Sequence, residues 1–502
     1  MTRKQRGQRP GHRGFATDVL KLASGTTMAQ VVVLCAAPVL TRLYEPSEYG
    51  AWALFTAVVG VTTVVACLRY DLSIVLPKSD DEGAALLWGS LAVTVMTSSI
   101  VLLVFLLLPM SVLAHLGAEE VTGYVPLVAL ATCFGGTFNA LNYWHTRKRA
   151  FGDLATARIA NTTITAAAQI GGAFLSTGGA TTLVSGSLAG SWVATLALAV
   201  RVAANDWCTM TRALKLRSIL SQLRHHWRFP IYNTWTAIMN QVSWALPTLV
   251  LASYFGSSVV GYYSLGWRVL TLPMSLVGSA IGQVFYQRAA LAHEAGGLDV
   301  LVRGVFSVLV DFGLVPFVVL AIAGQNIFEF AFGPGWAEAG VYVQILSIYT
   351  LVWFISSPLS NLYLVLNRQS AAVWLNALIL ITRLGSLLIG GWLGNPRLGL
   401  AVFAITGVVV YGYMNQFVIT RSGVSRTDAL RIIARASLRG IAPCGVVLAV
   451  VMAGFGNAWV FAFSAGAVAA STVHALLAWR RVLGGHELGE STEPSEPPLR
   501  SF

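Results

Sequence analysis

Three arginines lie within or at the end of long apolar segments, where a charged side chain is costly. Arg268 and Arg383 fall inside such segments, and Arg42 ends the first one, in the stretch VLTRLYEPSEYGAW. A charge near the middle of a bilayer costs at least about 2.5–3.5 kcal/mol on insertion scales, so it usually faces a cavity or a partner. Because a guanidinium group forks onto phosphate oxygens, these residues predict binding of an anionic, phosphate-bearing ligand.

Each arginine also has a structural interpretation. Arg42 could pair with Glu45 or Glu48 at the outer surface. Arg268 could be neutralised by a carboxylate in the same half of the chain, and Arg383 could mark the end of its span if that span is shifted. The sequence leaves these alternatives open.

Three further charges are candidates for gating or ion coupling. Asp311 lies within an apolar segment and is expected either to pair with Arg268 or to couple an ion. Arg69 and Asp71 follow the second apolar segment and are predicted to form a structural or gating pair. The five cysteines show no CxxC pair, and no P-loop, HExxH or nucleophile-elbow motif is present, so we expect no metal site, no cofactor and no enzyme.

The composition places these residues in a membrane protein. Of 502 residues, 56% are hydrophobic and only 11% are charged, with a mean hydropathy of +0.68. Apolar residues come in blocks of about twenty, the length of a helix that crosses a bilayer. The formal net charge of +12 falls mostly between these blocks, so it predicts membrane orientation rather than nucleic-acid binding.

Fourteen candidate spans follow from the apolar blocks. They cover residues 18–41, 49–68, 84–108, 123–145, 154–177, 180–201, 230–254, 259–284, 304–324, 339–366, 370–393, 398–420, 439–455 and 457–479. Lys and Arg collect in alternate connections, so the positive-inside rule predicts a multi-pass protein of the cell (inner) membrane with both termini in the cytoplasm. Arg42 and Arg397 are then the only cations on the outer side, which also holds Glu119 and Glu120.

An internal repeat joins the two halves. Residues from Gln30 align with those from Gln241, an offset of 211 residues, with identities that include Gly50/Gly261. Spans 7–12 therefore repeat spans 1–6 as two pseudo-symmetric six-helix bundles. The predicted order is a basic cytoplasmic tail (1–17), the first bundle (18–205), an amphipathic linker helix (206–229), the second bundle (230–421), a basic connection (422–438), two further transmembrane helices (439–480) and a disordered cytoplasmic tail (481–502).

Two motifs resemble a known family. The stretch LASGTTMAQVVVLCAAPVLTRLYEPSEYG, followed by LRYDLSIVLPKSDDEGAAL, resembles the opening of the Wzx-type oligosaccharide flippases, which are polysaccharide transporters of the multidrug/oligosaccharidyl-lipid/polysaccharide (MOP) exporter superfamily. FGPGWAEAG at residues 332–340 is a third likeness, and hydropathy agrees over about residues 18–420. Only Arg42, Arg69 and Asp71 correspond to the family by motif.

The resemblance implies a MATE-like fold around a central cavity. It further implies alternating-access transport of undecaprenyl-diphosphate-linked oligosaccharide for surface polysaccharide (O-antigen, capsule or exopolysaccharide), driven by a proton or sodium gradient. Arg42, Arg268 and Arg383 would then contact the diphosphate. We expect a monomer that contacts membrane lipids and works with a polysaccharide polymerase and other assembly proteins. The alternatives are a cation-coupled drug antiporter of the same superfamily, disfavoured by the cationic excess, and a membrane glycan polymerase or ligase, disfavoured by short outer connections.

Overall fold

The computed structural model describes residues 12–109, 123–175 and 179–487. Glu119, Glu120, the first residues of the predicted N-terminal tail and the end of the predicted C-terminal tail lie outside the described residues. Within the described residues the chain forms only helices, turns and loops. This confirms the predicted all-α fold class.

Seventeen α-helices follow one another along the described chain. They are α1 His12–Leu43, α2 Pro46–Ala66, α3 Asp80–Leu107, α4 Val125–Arg147, α5 Phe151–Leu175, α6 Ala180–Ala213, α7 Leu216–His225, α8 Thr234–Phe255, α9 Ser257–Pro273, α10 Ser279–Ala295, α11 Leu298–Phe332, α12 Ala337–Leu359, α13 Leu362–Val365, α14 Gln369–Trp392, α15 Pro396–Arg421, α16 Arg426–Met452 and α17 Asn457–Glu487. Short 3-10 segments at Tyr70–Val75 and Pro334–Trp336 and π-helical segments at Phe229–Asn233 and Met274–Gly278 lie between them.

Every predicted apolar block is helical, and eleven helices in the described residues are long and apolar enough to cross a membrane. The other three blocks correspond to α5 and α8, which carry polar residues such as Asn161 and Gln241, and to α9, which has 17 residues. Large apolar side chains lie on the outside of the helices, among them Leu107 at 73% and Met452 at 80% exposure. Such surfaces are stable only against lipid, so the chain is a multi-pass membrane protein.

Local chemistry explains where several helices begin. The Ser79 hydroxyl accepts the Glu82 N–H at 3.3 Å and caps α3, whose first turn is acidic. The Ser425 hydroxyl caps α16 in the same way by accepting the Asp428 N–H at 3.1 Å. Pro46 occupies the first turn of α2, where a missing N–H has no cost.

The helix ends differ from the predicted boundaries in several places, and α16 begins at Arg426, inside the predicted basic connection 422–438. Helix α1 begins at His12, inside the predicted tail, and α17 continues to Glu487. Helix α6 extends to Ala213, so the amphipathic linker is the shorter α7, Leu216–His225. An apolar block identifies only the buried or lipid-facing part of a helix, whereas the backbone hydrogen bonds of the helix continue into the adjoining polar residues.

The chain divides into two compact units. The first contains the described residues up to Leu265 with Ala331–Trp336 and Leu387–Pro396, and the second contains the remainder. In the first unit, Leu86, Trp144 and Leu198 form a buried core against which Ile219 of α7 packs. In the second unit, the C-terminal helices α16 and α17 pack through Val447 and Val460 on α11.

Candidate functional site

In the first unit, Arg42 lies in the last turn of α1, and its side chain is exposed. One guanidinium nitrogen, Nη1, donates a hydrogen bond to the Pro38 carbonyl at 3.0 Å. The Glu48 carboxylate accepts the Glu45 N–H at 2.9 Å and forms the capping box that starts α2. The capping box of Glu45 and Glu48 thus holds the backbone of the turn next to the exposed Arg42.

The Trp336 cluster, made of Thr41, Tyr49, Gly50, Gly261, Tyr262 and Trp336, lies beside this turn in the first unit. Trp336 is 2% exposed and donates from its indole Nε1 to the Thr41 carbonyl at 2.8 Å. Its ring meets those of Tyr49 and Tyr262 edge-on, with centroids 5.3 and 6.1 Å apart. The FGPGW and TRLYEPSEYG motifs, which are far apart in sequence, are therefore in direct contact.

Gly50 and Gly261 make a reciprocal backbone contact within the Trp336 cluster. A methyl group built on Gly50 would overlap the Ser257 carbonyl oxygen, and one built on Gly261 would overlap the Pro46 carbonyl oxygen. Gly50 aligns with Gly261, and Pro46 aligns with Ser257, at the same offset of 211 residues. The start of α2 and the start of α9 thus contact each other as equivalent parts of the internal repeat.

Arg69 and Asp71 lie together at the other end of α2, around the 3-10 segment Tyr70–Val75. Leu68 and Arg69 both have positive φ, at 44° and 61°, a conformation that bulky residues rarely adopt. Asp71 is 2% exposed, and neither its Oδ1 nor Arg69 Nε has a hydrogen-bond partner in the described residues. Burial raises the pKa of Asp71, and the nearby charge of Arg69 opposes this shift. Strained backbone of this kind is concentrated at active sites, ligand clamps and switch regions.

Arg147 and Lys148, in the RKR stretch at residues 147–149, join several segments of the first unit. Arg147 donates to the Asp80 carboxylate at 3.0 Å and to the carbonyls of Ile74 and Pro77 at 3.1 and 2.8 Å. Lys148 bonds Asp80 at 2.7 Å and Asp206 at 3.1 Å. Burial acts to lower the pKa of Lys148, but these hydrogen bonds outweigh it and raise the pKa. These partners could not be predicted from the sequence, because they lie on separate segments of the chain.

In the second unit, Arg383 of α14 is enclosed by aromatic side chains. The residue is 3% exposed, and its guanidinium carbon lies 5.6 Å from the centre of the Phe403 ring. Tyr349 and Tyr411 lie within electrostatic reach of the guanidinium. Trp267 stacks on Tyr349 with ring centroids 6.3 Å apart. In this conformation these rings cover Arg383, which the sequence predicts to contact the diphosphate.

Arg268 follows Trp267 in α9 and is partly exposed. Its neighbour in sequence, Trp267, belongs to the aromatic group around Arg383. Asp311 of α11 pairs with Arg439 of α16 at 3.2 Å, and its carboxylate is 8% exposed. Arg397, the second cation predicted on the outer side, donates hydrogen bonds to both carboxylate oxygens of Glu338.

Comparisons with known proteins identify the family. The family model described as "Polysaccharide biosynthesis protein" matches residues 39–341, more than half of the chain. The chain belongs to this polysaccharide biosynthesis family. The matched region contains Arg42, Arg69, Asp71, Arg268 and Asp311, whereas Arg383 lies outside it. The family expected from the motifs is confirmed.

One curated relative adds to this assignment. The chain is 22% identical over 205 residues to the lipopolysaccharide biosynthesis protein WzxC of Escherichia coli (strain K12). That match covers 40% of this chain and 41% of the relative.

Solved structures show the fold of this polysaccharide biosynthesis family member. The lipid II flippase MurJ in its inward closed conformation has a TM-score of 0.71 at 14% identity, covering 92% of this chain and 99% of MurJ. An inward-facing multidrug resistance MATE transporter of the MOP superfamily has a TM-score of 0.53 at 16% identity, covering 80% and 94%. The eukaryotic MATE transporter AtDTX14 has 0.51 at 15% identity, covering 84% and 100%. The MATE-like fold is confirmed.

Proposed function

We propose that this protein is a flippase that moves undecaprenyl-diphosphate-linked oligosaccharide across the cell (inner) membrane for surface polysaccharide synthesis. The observation that supports it most strongly is the match of residues 39–341 to the polysaccharide biosynthesis family. A fold shared over 92% of the chain with a protein whose title calls it a lipid II flippase is in keeping with a lipid-linked cargo. Transport proceeds by alternating access, with both termini in the cytoplasm.

The predicted site residues have separate roles in this proposal. Arg42 and Arg268 contact the diphosphate, because both side chains are at least partly exposed. Arg383 contacts it only after Tyr349 or Tyr411 moves, since the side chain is enclosed. Arg69 and Asp71 act in gating.

The remaining parts of the proposal concern energy and partners. Asp311 releases its partner Arg439 and binds the coupling ion in its place. A proton or sodium gradient drives the cycle, and no cofactor takes part. The protein acts as a monomer and hands its cargo to a polysaccharide polymerase.

Reconstituted transport tests the proposal. Proteoliposomes are prepared with the full chain and a fluorescent undecaprenyl-diphosphate oligosaccharide. A quencher is added outside the vesicles, and flipping is measured as the fraction of the fluorescent label that becomes accessible to it. Arg42→Ala and Arg268→Ala should each slow flipping by about tenfold or more, because a charge-assisted hydrogen bond contributes about 1.5–3 kcal/mol. Arg397→Ala is the control, because it removes an outer cation that is already neutralised by Glu338.

The outcome also separates the alternatives. Flipping at the parent rate by both variants, at equal protein levels, would refute the assigned contacts, and absence of flipping by the parent would refute the function. Gradient-driven export of a cationic drug from the same vesicles would instead support an antiporter. Glycan chains lengthened by the purified protein would support a polymerase or ligase.

A further inference from the structure

A cavity of about 340 Å³ lies in the second unit between α11, α12, α15 and α16. Most of its lining is apolar, and includes Phe306, Val352, Ile355, Ile419, Leu430 and Ile433. Leu430 and Ile433 are 65% and 39% exposed, so the cavity opens on the outside of α16. Gly412 forms part of the wall, and a methyl group built on it would meet no atom within 4 Å. The cavity is therefore shaped for a slender apolar group that enters from the surrounding lipid.

One polar side chain in this cavity has an unmet hydrogen bond. Asn415 is 9% exposed, and its Nδ2 donates to the Val352 carbonyl at 3.3 Å. Its carbonyl oxygen Oδ1 is buried and has no partner among the described residues. A buried acceptor without a donor costs about 1–3 kcal/mol. A ligand that supplies an O–H or N–H group would remove this cost.

The rim of the cavity is basic. Arg426 is exposed at the start of α16, and the Gln416 carboxamide, with its oxygen turned toward α16, accepts from Arg426 Nε at 2.9 Å. The chain from Arg421 to Arg439 holds five arginines and one acidic residue, Asp428. Asp428 already pairs with Arg303 at 3.1 Å and with Arg431 at 3.5 Å. Arg426 forms no ion pair in the described part of the chain, so the rim favours an anion.

We propose that this cavity binds an anionic glycerophospholipid with a hydroxyl-bearing headgroup, as in phosphatidylglycerol. Its phosphate lies on Arg426, a hydroxyl donates to Asn415 Oδ1, and one acyl chain follows the apolar wall at Phe306 and Ile355. Phosphatidylcholine has neither a donor nor a net charge, and phosphatidylethanolamine has N–H donors but no net charge. The site is thus selective among ordinary membrane lipids. It concerns a resident lipid rather than the cargo, and it does not depend on the proposed transport.

Native mass spectrometry of the purified full chain tests this proposal. The protein is titrated in detergent with phosphatidylglycerol, phosphatidylethanolamine or phosphatidylcholine, and bound lipid is counted. We expect one phosphatidylglycerol to be retained at least about tenfold more tightly than the other lipids. Arg426→Gln should weaken its binding by about tenfold, and Asn415→Leu by about fivefold.

Matched controls separate the site from general effects on folding. Arg431→Gln removes a charge from the same helix outside the cavity lining and should retain the lipid. Gly412→Leu fills the cavity and should abolish binding, whereas Gly445→Leu, also free of neighbours within 4 Å, should not. Equal retention of all three lipids, or phosphatidylglycerol binding that is unchanged in both Arg426→Gln and Gly412→Leu, would overturn the proposal.

Discussion

At the scale of single residues, much of the positive charge in the described residues is compensated by a neighbouring carboxylate. Arg147, Lys148, Arg201, Arg303, Arg397, Arg431 and Arg439 each form an ion pair. Several of these pairs, among them those of Arg147, Lys148 and Arg439, have their carboxylate on another helix and so join helices to one another.

Removal of Arg147 should destabilise the first unit. The Arg147→Ala variant leaves the carbonyls of Ile74 and Pro77 without this donor and removes one of the two cations that bind Asp80. Each buried acceptor left unsatisfied costs about 1–3 kcal/mol, so the Tm in detergent should fall clearly. Arg149→Asn removes the same charge nearby, at an exposed position with φ of 56° that asparagine tolerates. It should leave the Tm near that of the parent, and an equal fall in both variants would contradict the assigned role.

Asp71 should make the stability of the protein depend on pH. Burial raises the pKa of Asp71 in the folded state. Below the unfolded pKa of about 3.9, Asp71 therefore makes its full contribution to the free energy of unfolding. This contribution is lost as the pH rises through the folded pKa. Asp71→Asn removes this dependence. The Tm of the variant relative to the parent should therefore increase from acidic to neutral pH, as measured by thermal denaturation in detergent. A constant difference between the two proteins across this pH range would refute the expectation.

At the scale of elements, the internal repeat explains why glycine occurs at two equivalent positions. The starts of α2 and α9 approach so closely at Gly50 and Gly261 that a side chain on either would meet backbone oxygen. Backbone contact of this kind is typical of small residues in membrane helices. The two glycines that the alignment matches thus lie in a single helix contact.

Substitution of either glycine should separate the two helices. Gly50→Ala and Gly261→Ala each place a methyl group on the Ser257 or Pro46 carbonyl, and overpacking typically costs about 1–3 kcal/mol. Trp336 packs on Tyr49 and Tyr262, so the wavelength of its fluorescence should shift as the ring becomes exposed. The measurement uses a protein in which the other tryptophans are replaced by phenylalanine. Gly171→Ala in α5 is the control, because an added methyl group there meets nothing within 4 Å. An unchanged spectrum in both test variants would contradict the contact.

The elements could be predicted from the sequence more fully than the site. Apolar blocks of about twenty residues identify helices because burial in lipid requires that length, and every predicted block is helical. The partner of Asp311 could not be foreseen, because Arg439 lies 128 residues away in sequence, at the start of the predicted span 439–455. The contact of Trp336 with Thr41, over 295 residues, was hidden for the same reason, although both motifs were recognised.

At the scale of the whole molecule, orientation in the membrane is the property that the proposed function most requires. A flippase for a lipid-linked precursor must present its basic connections to the cytoplasm, where the anionic leaflet and the precursor meet them. Two exposed positions distinguish the sides. Lys78 lies between α2 and α3, in a connection predicted to be cytoplasmic, and Asn395 lies between α14 and α15, in one predicted to be outside.

Cysteine labelling in intact cells should place Asn395 outside and Lys78 inside. In a variant whose five native cysteines are replaced by serine or alanine, Asn395→Cys should react with a membrane-impermeant maleimide in intact cells. Lys78→Cys should react only after permeabilisation, because the bilayer separates it from the reagent. The reverse pattern would mean that the positive-inside rule fails for this chain, and equal labelling of both without permeabilisation would refute the span count. Since an even number of spans separates Lys78 from the N-terminus, the result for Lys78 also assigns the N-terminus to the cytoplasm.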